Sequence, residues 1–272
     1  MWGAAAWAGA SVLLRVEDHD RQRSRAAFDA ALLEDLAWLG FVADAGPVRQ
    51  TEPDARAAYS EALARLAAED LVYRCGCTRA TFAAWVRDHG HDWRGPGCPG
   101  ACRTTALPGD AATSLRVALG AGTEAFDDLL LGPWIDEPAA SGDLVVRDRA
   151  GNWTYGFAVV VDDLRQDVDL VIRGEDLLPE TTRQIRLGRL LGRDEPPRFL
   201  HHPLIRKSSG AKLSKSDGDT GVRDLRGLGW TSEAVRAEAA RLARIPSAIG
   251  QAQPSSGSVD RGQRSVPSGP TR

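Results

Sequence analysis

The sequence predicts an α/β fold with a mainly parallel sheet, and two observations support that prediction. Short apolar runs typical of buried strands alternate along the chain with longer segments whose apolar residues recur at helical spacing. The 272 residues, of which 43% are hydrophobic and 26% charged, are enough for one large domain or two small ones with an ample core. The chain shows no internal repeat.

Composition and charge exclude some classes of protein. The formal net charge of −3 gives no overall nucleic-acid signature, so any contact with RNA would use a local basic surface. No apolar run is long enough to cross a bilayer. Residues 1–10 are small and apolar, but they lack a basic start, and Arg15 and Glu17 follow soon after. We interpret them as the end of a buried helix and not as a signal peptide, and by default we expect a cytoplasmic location.

In the first half of the chain, apolar spacing predicts two strands and two helices. Residues 12–16 are typical of a buried strand, and residues 71–73 are typical of a short strand that leads into a group of cysteines. Apolar residues recur at helical spacing from 28 to 39, where Gly40 ends the helix, and again from 59 to 66.

In the second half, residues 103–140 are irregular and predict no clear element. Residues 144–146 and 155–161 look like paired strands around a turn at 150–152. Residues 170–173 look like a further strand.

Two helices and a tail are expected toward the end of the chain. Thr182 could cap the first helix, and Thr231 or Ser232 could cap a final helix that ends near residue 244. Residues 245–272 are rich in Ser, Pro, Gly and Gln and have almost no large apolar side chains. Such a tail cannot bury enough surface to offset its ordering entropy, so we expect it to be disordered.

The stretch from Lys212 to Ser216 places two lysines and two serines within five residues. Ammonium groups in a loop of this kind can neutralise the phosphate charge that builds up as pyrophosphate leaves. Lys215, which is flanked by hydroxyls, is the better placed of the two lysines. By itself the stretch is equally typical of a solvated polar loop.

Carboxylates follow the first predicted strand. On a strand, Arg15 and Glu17 share one face and Asp18 takes the other. A carboxylate at the carboxyl end of a strand in an open α/β sheet lies where ligands usually bind. Glu17 could therefore accept hydrogen bonds from the α-ammonium group of a substrate. Taken alone, the segment favours surface ion pairs.

Arg173 ends a later predicted strand, and its guanidinium fork suits a carboxylate such as the side chain of a substrate. The alternative is an ion pair with Glu175 or Asp176. Tyr155 opens the apolar run that precedes it along the chain. The alternative for Tyr155 is a core residue whose hydroxyl is satisfied within the protein.

The four cysteines fall in one short segment: Cys75, Cys77, Cys98 and Cys102. Clustered thiols in a cytosolic protein are more typical of metal ligands than of disulfides. The C-x-C and C-x-x-x-C hooks fit a tetrahedral structural zinc site, with four free thiols as the alternative. His89 and His91 lie between the hooks, and either could replace a cysteine.

Taken in chain order, these segments resemble class I glutamyl-tRNA synthetases. Residues 15–21 look like the R-[IV]-E-D-x-D-x-x-R segment of that family, and residues 171–176 look like its V-I-R-G-x-D segment. Residues 212–216 match its K-[LM]-S-K-S loop. The similarity covers roughly residues 1–244. It implies a Rossmann-like α/β catalytic domain with a small zinc-binding insertion at about residues 73–105.

The length narrows the resemblance to the short paralogues of that family, the glutamyl-queuosine tRNA(Asp) synthetases. Few residues follow Lys215 before the tail, whereas the full-length enzymes continue into a helical anticodon-binding domain. In the short family, four metal ligands surround a loop similar to that from Cys75 to Cys102. Cys98 stands where the third ligand is often Tyr.

The resemblance implies a two-step reaction, in which L-glutamate and ATP with Mg²⁺ form glutamyl-adenylate and pyrophosphate. The glutamyl group then passes to the queuosine base at the wobble position, in the anticodon arm of tRNA(Asp). On this chain, the glutamate-binding residues would be Glu17, Tyr155 and Arg173. The ATP-binding residues would be Lys212, Ser214 and Lys215, with Lys215 also catalytic. The zinc would be structural, and a monomer is expected.

One part of the family's pattern is missing. The family begins with a strand, a turn that contains Pro and Ser, and an H-x-G-[HN] signature on a helix that grips ATP, and nothing like it precedes Arg15. We expect the chain to lack its first strand and half of its nucleotide site, through a start codon placed too far downstream or a true truncation. We therefore expect the chain as given to make adenylate inefficiently. The rival interpretations are a fragment of a conventional glutamyl-tRNA synthetase and an inactive tRNA-binding remnant.

Overall fold

The structure is a computed structural model that describes residues 1–19, 26–89, 97–109, 111–205 and 221–243. Within these ranges, no helix is both long and apolar enough to cross a membrane. The described helices are α1 (Trp2–Ala8), α2 (Ala26–Trp38), α3 (Pro53–Ala68), α4 (Arg79–His89), α5 (Tyr155–Arg165), α6 (Leu178–Leu190), α7 (Val222–Gly227) and α8 (Ser232–Ala243). The described strands are β1 (Leu13–Val16), β2 (Ala45–Arg49), β3 (Val72–Cys75), β4 (Ser114–Val117), β5 (Glu124–Asp128), β6 (Gly132–Asp136), β7 (Leu144–Arg147), β8 (Leu170–Gly174) and β9 (Arg198–His202).

The described strands form three sheets in which parallel and antiparallel pairs occur together. β1 and β2 form a parallel pair, while β3, β4 and β7 form an antiparallel sheet. The third sheet has the order β6-β5-β9-β8, with β5 and β8 parallel to β9 and β6 antiparallel to β5. The expectation of a mainly parallel sheet is therefore wrong for the described part, because three of its six strand pairs are antiparallel.

Most of the antiparallel pairing comes from residues 103–140, which looked irregular in the sequence and hold β4, β5 and β6. On β5, the buried positions are Glu124, Phe126 and Asp128, so two of three inward side chains are charged. Two arginines of α6 pair with Glu124, which allows its burial. The strand alternates between buried and exposed positions, but the usual alternation of apolar and polar residue types is absent.

Residues 155–161, which were expected to form a strand, instead lie in α5. The side chains of residues 157–161 are all buried, because α5 packs between α3, α6 and β7. The ring of Phe157 also stacks on Trp153 with 5.3 Å between centroids. A helix that is covered on all sides leaves a continuous apolar run, and such a run has no period that distinguishes it from a buried strand.

The predicted cap at Thr182 is also wrong. α6 begins at Leu178 and has Pro179 in its first turn, where proline is well tolerated, so Thr182 lies inside the helix and is buried. At the last helix the prediction is confirmed. The hydroxyl of Thr231 accepts a hydrogen bond of 3.2 Å from the backbone N–H of Ala234, which caps α8.

The remaining sequence assignments are confirmed to within a few residues. The strands predicted at 12–16, 71–73, 144–146 and 170–173 correspond to β1, β3, β7 and β8. The helices predicted from the spacing at 28–39 and 59–66 correspond to α2 and α3. Gly40 follows α2 with a φ of +69°, a left-handed conformation that favours glycine.

A buried polar network ties the β1–β2 pair to α5. The carboxylate of Asp162 accepts hydrogen bonds from the Tyr59 hydroxyl at 2.7 Å and from Gln50 Nε2 at 2.8 Å. Asp163 accepts one from Arg15 Nη1 at 2.8 Å. In the described part no strand ladder joins β1 and β2 to the other sheets. Side-chain hydrogen bonds of this kind therefore fix the position of the pair.

Candidate active site

A groove of about 550 Å³ lies between β1 and β8. Residues 12–15 and 168–173 line it from the two strands and their approaches, and residues of α1 and α5 complete it. Within the described ranges, β1 pairs with β2 and β8 pairs with β9, so both are edge strands of their sheets. The groove is therefore bordered by two strand edges whose other sides are already paired.

The three side chains that the sequence predicts to bind glutamate all line this groove: Glu17, Tyr155 and Arg173. Glu17 follows the last residue of β1, Arg173 is the penultimate residue of β8, and Tyr155 is the first residue of α5. Burial raises the pKa of the Tyr155 hydroxyl; the neighbouring Glu17 carboxylate raises it further, and the neighbouring Arg173 opposes the rise. The carboxyl ends of the two strands thus meet at one end of the groove, where ligands bind in open α/β sheets.

Arg173 is only 7% exposed, and its hydrogen-bond acceptors are uncharged side chains. Its Nε donates to His201 Nε2 at 3.1 Å, its Nη1 to Gln184 Oε1 at 2.6 Å, and its Nη2 to Thr181 Oγ1 at 2.7 Å. The carboxylate of Glu175, a predicted ion-pair partner, instead accepts a backbone N–H. Burial lowers the pKa of Arg173, but a guanidinium stays charged in proteins. A buried cation with uncharged acceptors favours an anionic ligand.

Glu17 supplies an accessible carboxylate at the same end of the groove. Its side chain is 39% exposed, and its carboxylate lies 3.5 Å from Arg15 Nη2. Arg15 also donates from Nη1 to Asp163 at 2.8 Å and to Gln166 at 2.9 Å, so Glu17 shares this cation with other groups. Loss of surrounding water raises the pKa of Glu17, and Arg15 opposes part of that rise. The sequence around Glu17 favoured an ion pair, and the Arg15–Glu17 pair is present. The pair leaves the Glu17 carboxylate accessible to a ligand.

Asp18 turns away from the groove, as strand alternation predicts. Its Oδ1 accepts the backbone N–H of Thr51 at 2.9 Å, and its Oδ2 accepts the Thr51 hydroxyl at 2.7 Å and Arg49 Nη1 at 3.2 Å. Asp18 therefore joins the end of β1 to the turn that follows β2, and its role in this structure is architectural.

Several predicted residues lie outside the described part of the chain. These are Lys212, Ser214 and Lys215 of the ATP-binding loop, and Asp20 and Arg21 of the first motif. The tail predicted at 245–272 also lies outside it. The described residues thus contain the predicted glutamate side of the site.

Sequence reasoning missed the residues that hold Arg173. Thr181 and Gln184 lie on α6 three positions apart, so they share one face of that helix. His201 lies on β9 directly opposite Arg173 in the register of the parallel pair. Helical spacing could have linked the first two, but no local signal places β9 beside β8.

The four cysteines form one compact cluster whose sulfur atoms all lie within 4.8 Å of one another. Cys77 Sγ lies 3.4 Å from Cys102 Sγ and 3.9 Å from Cys98 Sγ, too far for disulfide bonds, and all four cysteines are free. A tetrahedral zinc ion with Zn–S bonds of about 2.3 Å holds its sulfurs about 3.8 Å apart. The donor set and its spacing therefore fit zinc. His91 and the side chain of His89 lie outside the described part.

One of these sulfurs is already favoured as a thiolate, which is the form that binds metal. The thiol of Cys75 donates a hydrogen bond toward Cys98, which lowers the pKa of Cys98 and raises that of Cys75. The backbone N–H of residue 102 also favours the charged form of Cys98. Burial and the neighbouring thiols raise the pKa of Cys77, so of Cys75, Cys77 and Cys98 only Cys98 favours its charged form before a cation binds.

Hydrogen bonds attach the cysteine cluster to the body of the domain beside α6. The backbone N–H of Asp143 donates to the carbonyl oxygen of Cys98 at 2.7 Å. The carboxylate of Asp143 accepts two hydrogen bonds from Arg103, at 2.9 and 2.6 Å. On the other side, Arg183 of α6 donates to the carbonyl oxygen of Gly142 at 2.9 Å. The cluster is therefore fixed to the same helix that carries the partners of Arg173.

Known proteins with similar sequences indicate the family to which this chain belongs. The model of the class I tRNA synthetase (E and Q) catalytic domain matches residues 2–257. The glutamyl-Q tRNA(Asp) synthetase of Symbiobacterium thermophilum is 39% identical over 267 residues, which cover 93% of this chain and 81% of that protein. Glutamate–tRNA ligase 1 of Alkalilimnicola ehrlichii is 36% identical over 238 residues, which cover 86% of this chain and 50% of that protein.

Among solved structures, the glutamate tRNA ligase of Elizabethkingia meningosepticum in complex with its amino acid is similar, with a TM-score of 0.62 and 27% identity. The match covers 82% of this chain and 47% of that one. The chain thus spans about half the length of the glutamate–tRNA ligases that it matches. From the matched domain and its relatives, the chain belongs to the class I tRNA synthetases of the glutamate and glutamine type, a family of aminoacyl-tRNA synthetase ligases.

Proposed function

We propose that this protein activates L-glutamate with ATP and transfers it to the queuosine base in the anticodon arm of tRNA(Asp). One observation carries the proposal for the amino acid. Arg173, a buried guanidinium whose acceptors are uncharged, lines the same end of the groove as the accessible carboxylate of Glu17. The choice of tRNA is supported by the name of the relative that matches over most of both chains.

The charges of glutamate match those of the groove. Arg173 binds the side-chain carboxylate through N–H groups that His201, Gln184 and Thr181 leave available, and Glu17 binds the α-ammonium group. The hydroxyl of Tyr155 interacts with both of these charges and would orient the ligand. The α-carboxylate then remains free to attack the α-phosphate of ATP.

Lys212, Ser214 and Lys215 bind the triphosphate of ATP together with Mg²⁺, and this part of the proposal is supported by the sequence motif. Lys215 is the catalytic residue of the loop. Its ammonium group neutralises the charge that develops on the β- and γ-phosphates as pyrophosphate leaves. A fixed cation at that position lowers the barrier to adenylate formation without itself exchanging a proton.

We propose that a further extended segment between β1 and β8 would complete the nucleotide side of the site. Both strands are edges of their sheets in the described part, and the groove separates them. An extended segment there would hydrogen-bond to both edges and join the two sheets. With it, residues 1–244 form one catalytic domain that carries an insertion at about residues 73–105, and residues 245–272 form a tail.

The cysteine cluster binds one structural zinc ion through Cys75, Cys77, Cys98 and Cys102. A zinc ion with four protein ligands has no open position, so it supplies no chemistry to the reaction. Its role is to order the insertion. The protein acts as a cytoplasmic monomer.

The alternatives are a fragment of a conventional glutamate–tRNA ligase and an inactive tRNA-binding remnant. The extent of the matches supports the short enzyme. The chain covers 81% of the glutamyl-Q tRNA(Asp) synthetase of Symbiobacterium thermophilum but half of the ligase of Alkalilimnicola ehrlichii.

Glutamate-dependent exchange of pyrophosphate into ATP tests the activation step. It is measured on this chain and on a version extended at its N terminus by the corresponding segment of the Symbiobacterium thermophilum relative. We expect faster exchange in the extended version, because the added strand completes the nucleotide side. Absence of exchange in both versions would support the inactive remnant. Transfer of labelled glutamate to the 3′ end of tRNA(Glu), and not to queuosine-containing tRNA(Asp), would support the conventional ligase.

A further inference from the structure

Asp128, His201 and Arg173 form a chain of hydrogen bonds across the neighbouring strands β5, β9 and β8. Oδ2 of Asp128 lies 2.6 Å from His201 Nδ1, and His201 Nε2 lies 3.1 Å from Arg173 Nε. The side chains of Asp128 and His201 are both fully buried. The Thr181 hydroxyl lies 3.0 Å from the same Nε2, but it can also donate to the carbonyl oxygen of Leu177 at 3.3 Å, which leaves the nitrogen to Arg173.

The surroundings of Asp128 determine which nitrogen of His201 carries the proton. Its Oδ1 accepts the backbone N–H groups of Leu130 and Leu131 at 3.0 and 2.9 Å, and its Oδ2 accepts the backbone N–H of His201 at 3.0 Å. A carboxylate surrounded by donors in this way acts as an acceptor toward the ring as well. His201 Nδ1 therefore carries the proton, and Nε2 presents its lone pair to Arg173.

We infer that His201, held by Asp128, is a positioning residue that fixes the orientation of the Arg173 guanidinium for its ligand. The inference rests on the proposed role of Arg173 in glutamate binding. The Nε bond to His201 fixes the guanidinium from its stem side, while Gln184 and Thr181 each occupy one N–H at the fork. The fork then keeps a single direction, which reduces the conformational entropy that the Arg173 side chain loses when a ligand binds.

The rings around His201 hold it in this orientation. His201 stacks on Phe199 with 6.0 Å between centroids and an angle of 18°, and the Arg173 guanidinium lies 5.4 Å from the same Phe199 ring. Burial lowers the pKa of His201, and the positive charge of Arg173 lowers it further against the opposing effect of Asp128. The ring is therefore neutral at neutral pH, as an acceptor for Arg173 must be.

Two substitutions of His201 separate positioning from a purely structural role. His201→Gln places Oε1 near the former Nε2 and keeps an acceptor for Arg173, whereas His201→Asn keeps an N–H toward Asp128 and loses that acceptor. Both variants remove the ring from Phe199, so they are matched for lost packing. The dissociation constants of L-glutamate and ATP are measured by calorimetry on the full chain, and thermal unfolding controls for stability.

We expect His201→Asn to weaken glutamate binding by about tenfold, because an Arg173 side chain that is no longer held from its stem side loses more conformational freedom when the ligand binds. His201→Gln should stay within about threefold of the original chain, since it keeps the hydrogen bond to Arg173. ATP binding should be unchanged in both. Equal losses of glutamate affinity in the two variants, or equal losses for glutamate and ATP, would overturn the inference.

Nitrogen-15 NMR of the histidine rings tests the hydrogen-bond chain independently of glutamate. The signal of His201 is assigned by its loss in His201→Gln. We expect a neutral ring protonated at Nδ1 at neutral pH, and a ring protonated at Nε2 would refute the chain. If the unsubstituted protein binds no glutamate, the proposed function fails by itself, and the protonation of the ring still decides whether His201 accepts from Arg173.

Discussion

Replacing Arg173 by lysine tests the glutamate site most directly. The arginine has five N–H donors; among the described residues His201, Gln184 and Thr181 take one each and the Tyr155 hydroxyl is a further neighbour, so at most two remain for a carboxylate. Lysine keeps the positive charge, but its ammonium cannot serve all of these acceptors and also offer two parallel bonds to a ligand. The loss of one charge-assisted hydrogen bond corresponds to about 1.5–3 kcal/mol, or roughly tenfold to a hundredfold in affinity.

The assay is calorimetric titration of Arg173→Lys with L-glutamate and, separately, with ATP. Arg241→Lys, at an exposed position of α8, is the matched control, because its partner Glu238 lies on the same helix. Thermal unfolding of both variants reports any general loss of structure. A change in glutamate affinity of less than threefold for Arg173→Lys, or an equal loss for ATP, would refute the assignment of Arg173 to the carboxylate of glutamate.

Three further predictions concern the metal, the core and pH. Cys102→Ser should reduce the zinc bound per chain from one toward zero, because the cluster then has only three thiolates. Elemental analysis under reducing conditions measures the bound zinc. Undiminished zinc in the variant, or no zinc in the original chain, would contradict the site. Phe157→Ala should lower the free energy of unfolding by about 3–5 kcal/mol in urea titrations, since Phe157 is fully buried at the centre of the core; a loss below about 1 kcal/mol would contradict this packing. Glutamate binding should weaken as pH falls through the raised pKa of Glu17, because the protonated acid no longer attracts an ammonium group. Glu17→Gln should remove this step from the pH profile of glutamate binding. An unchanged profile in that variant would assign the step to another group.

Whether a helix or strand could be predicted from its own sequence depends on which of its side chains are buried. The apolar spacing at 59–66 belongs to a helix that buries Tyr59 and Leu66. Residues 28–39 also form a helix, although Phe28 and Leu32 of its apolar spacing are exposed. Residues 157–161 show no period, because α5 is covered on all sides, and the sequence-based assignment as a strand was wrong. The strand β5 was missed because Glu124 and Asp128 occupy inward positions, where charges are stable only when partners from other elements reach them.

The same distinction applies to the candidate site. Spacing alone placed Glu17 at the end of a strand, Arg173 at the end of another, and four thiols in two hooks, because such patterns depend on a few neighbouring residues. It did not identify His201 and the residues of α6 as the partners of Arg173, or Asp128 as the partner of His201. Those contacts depend on which strands lie side by side, and strand order is set by packing over the whole domain.

The sequence by itself therefore determined the chemical types involved: a carboxylate and a guanidinium at the candidate site, and four thiols in a separate cluster. Only the tertiary structure decided that Glu17, Tyr155 and Arg173 share one end of a groove, and that Arg173 is buried against uncharged acceptors. The physical reason is that residue identity fixes charge and hydrogen-bonding capacity, whereas burial and the parallel register of β8 with β9 fix which of those capacities remain available to a ligand.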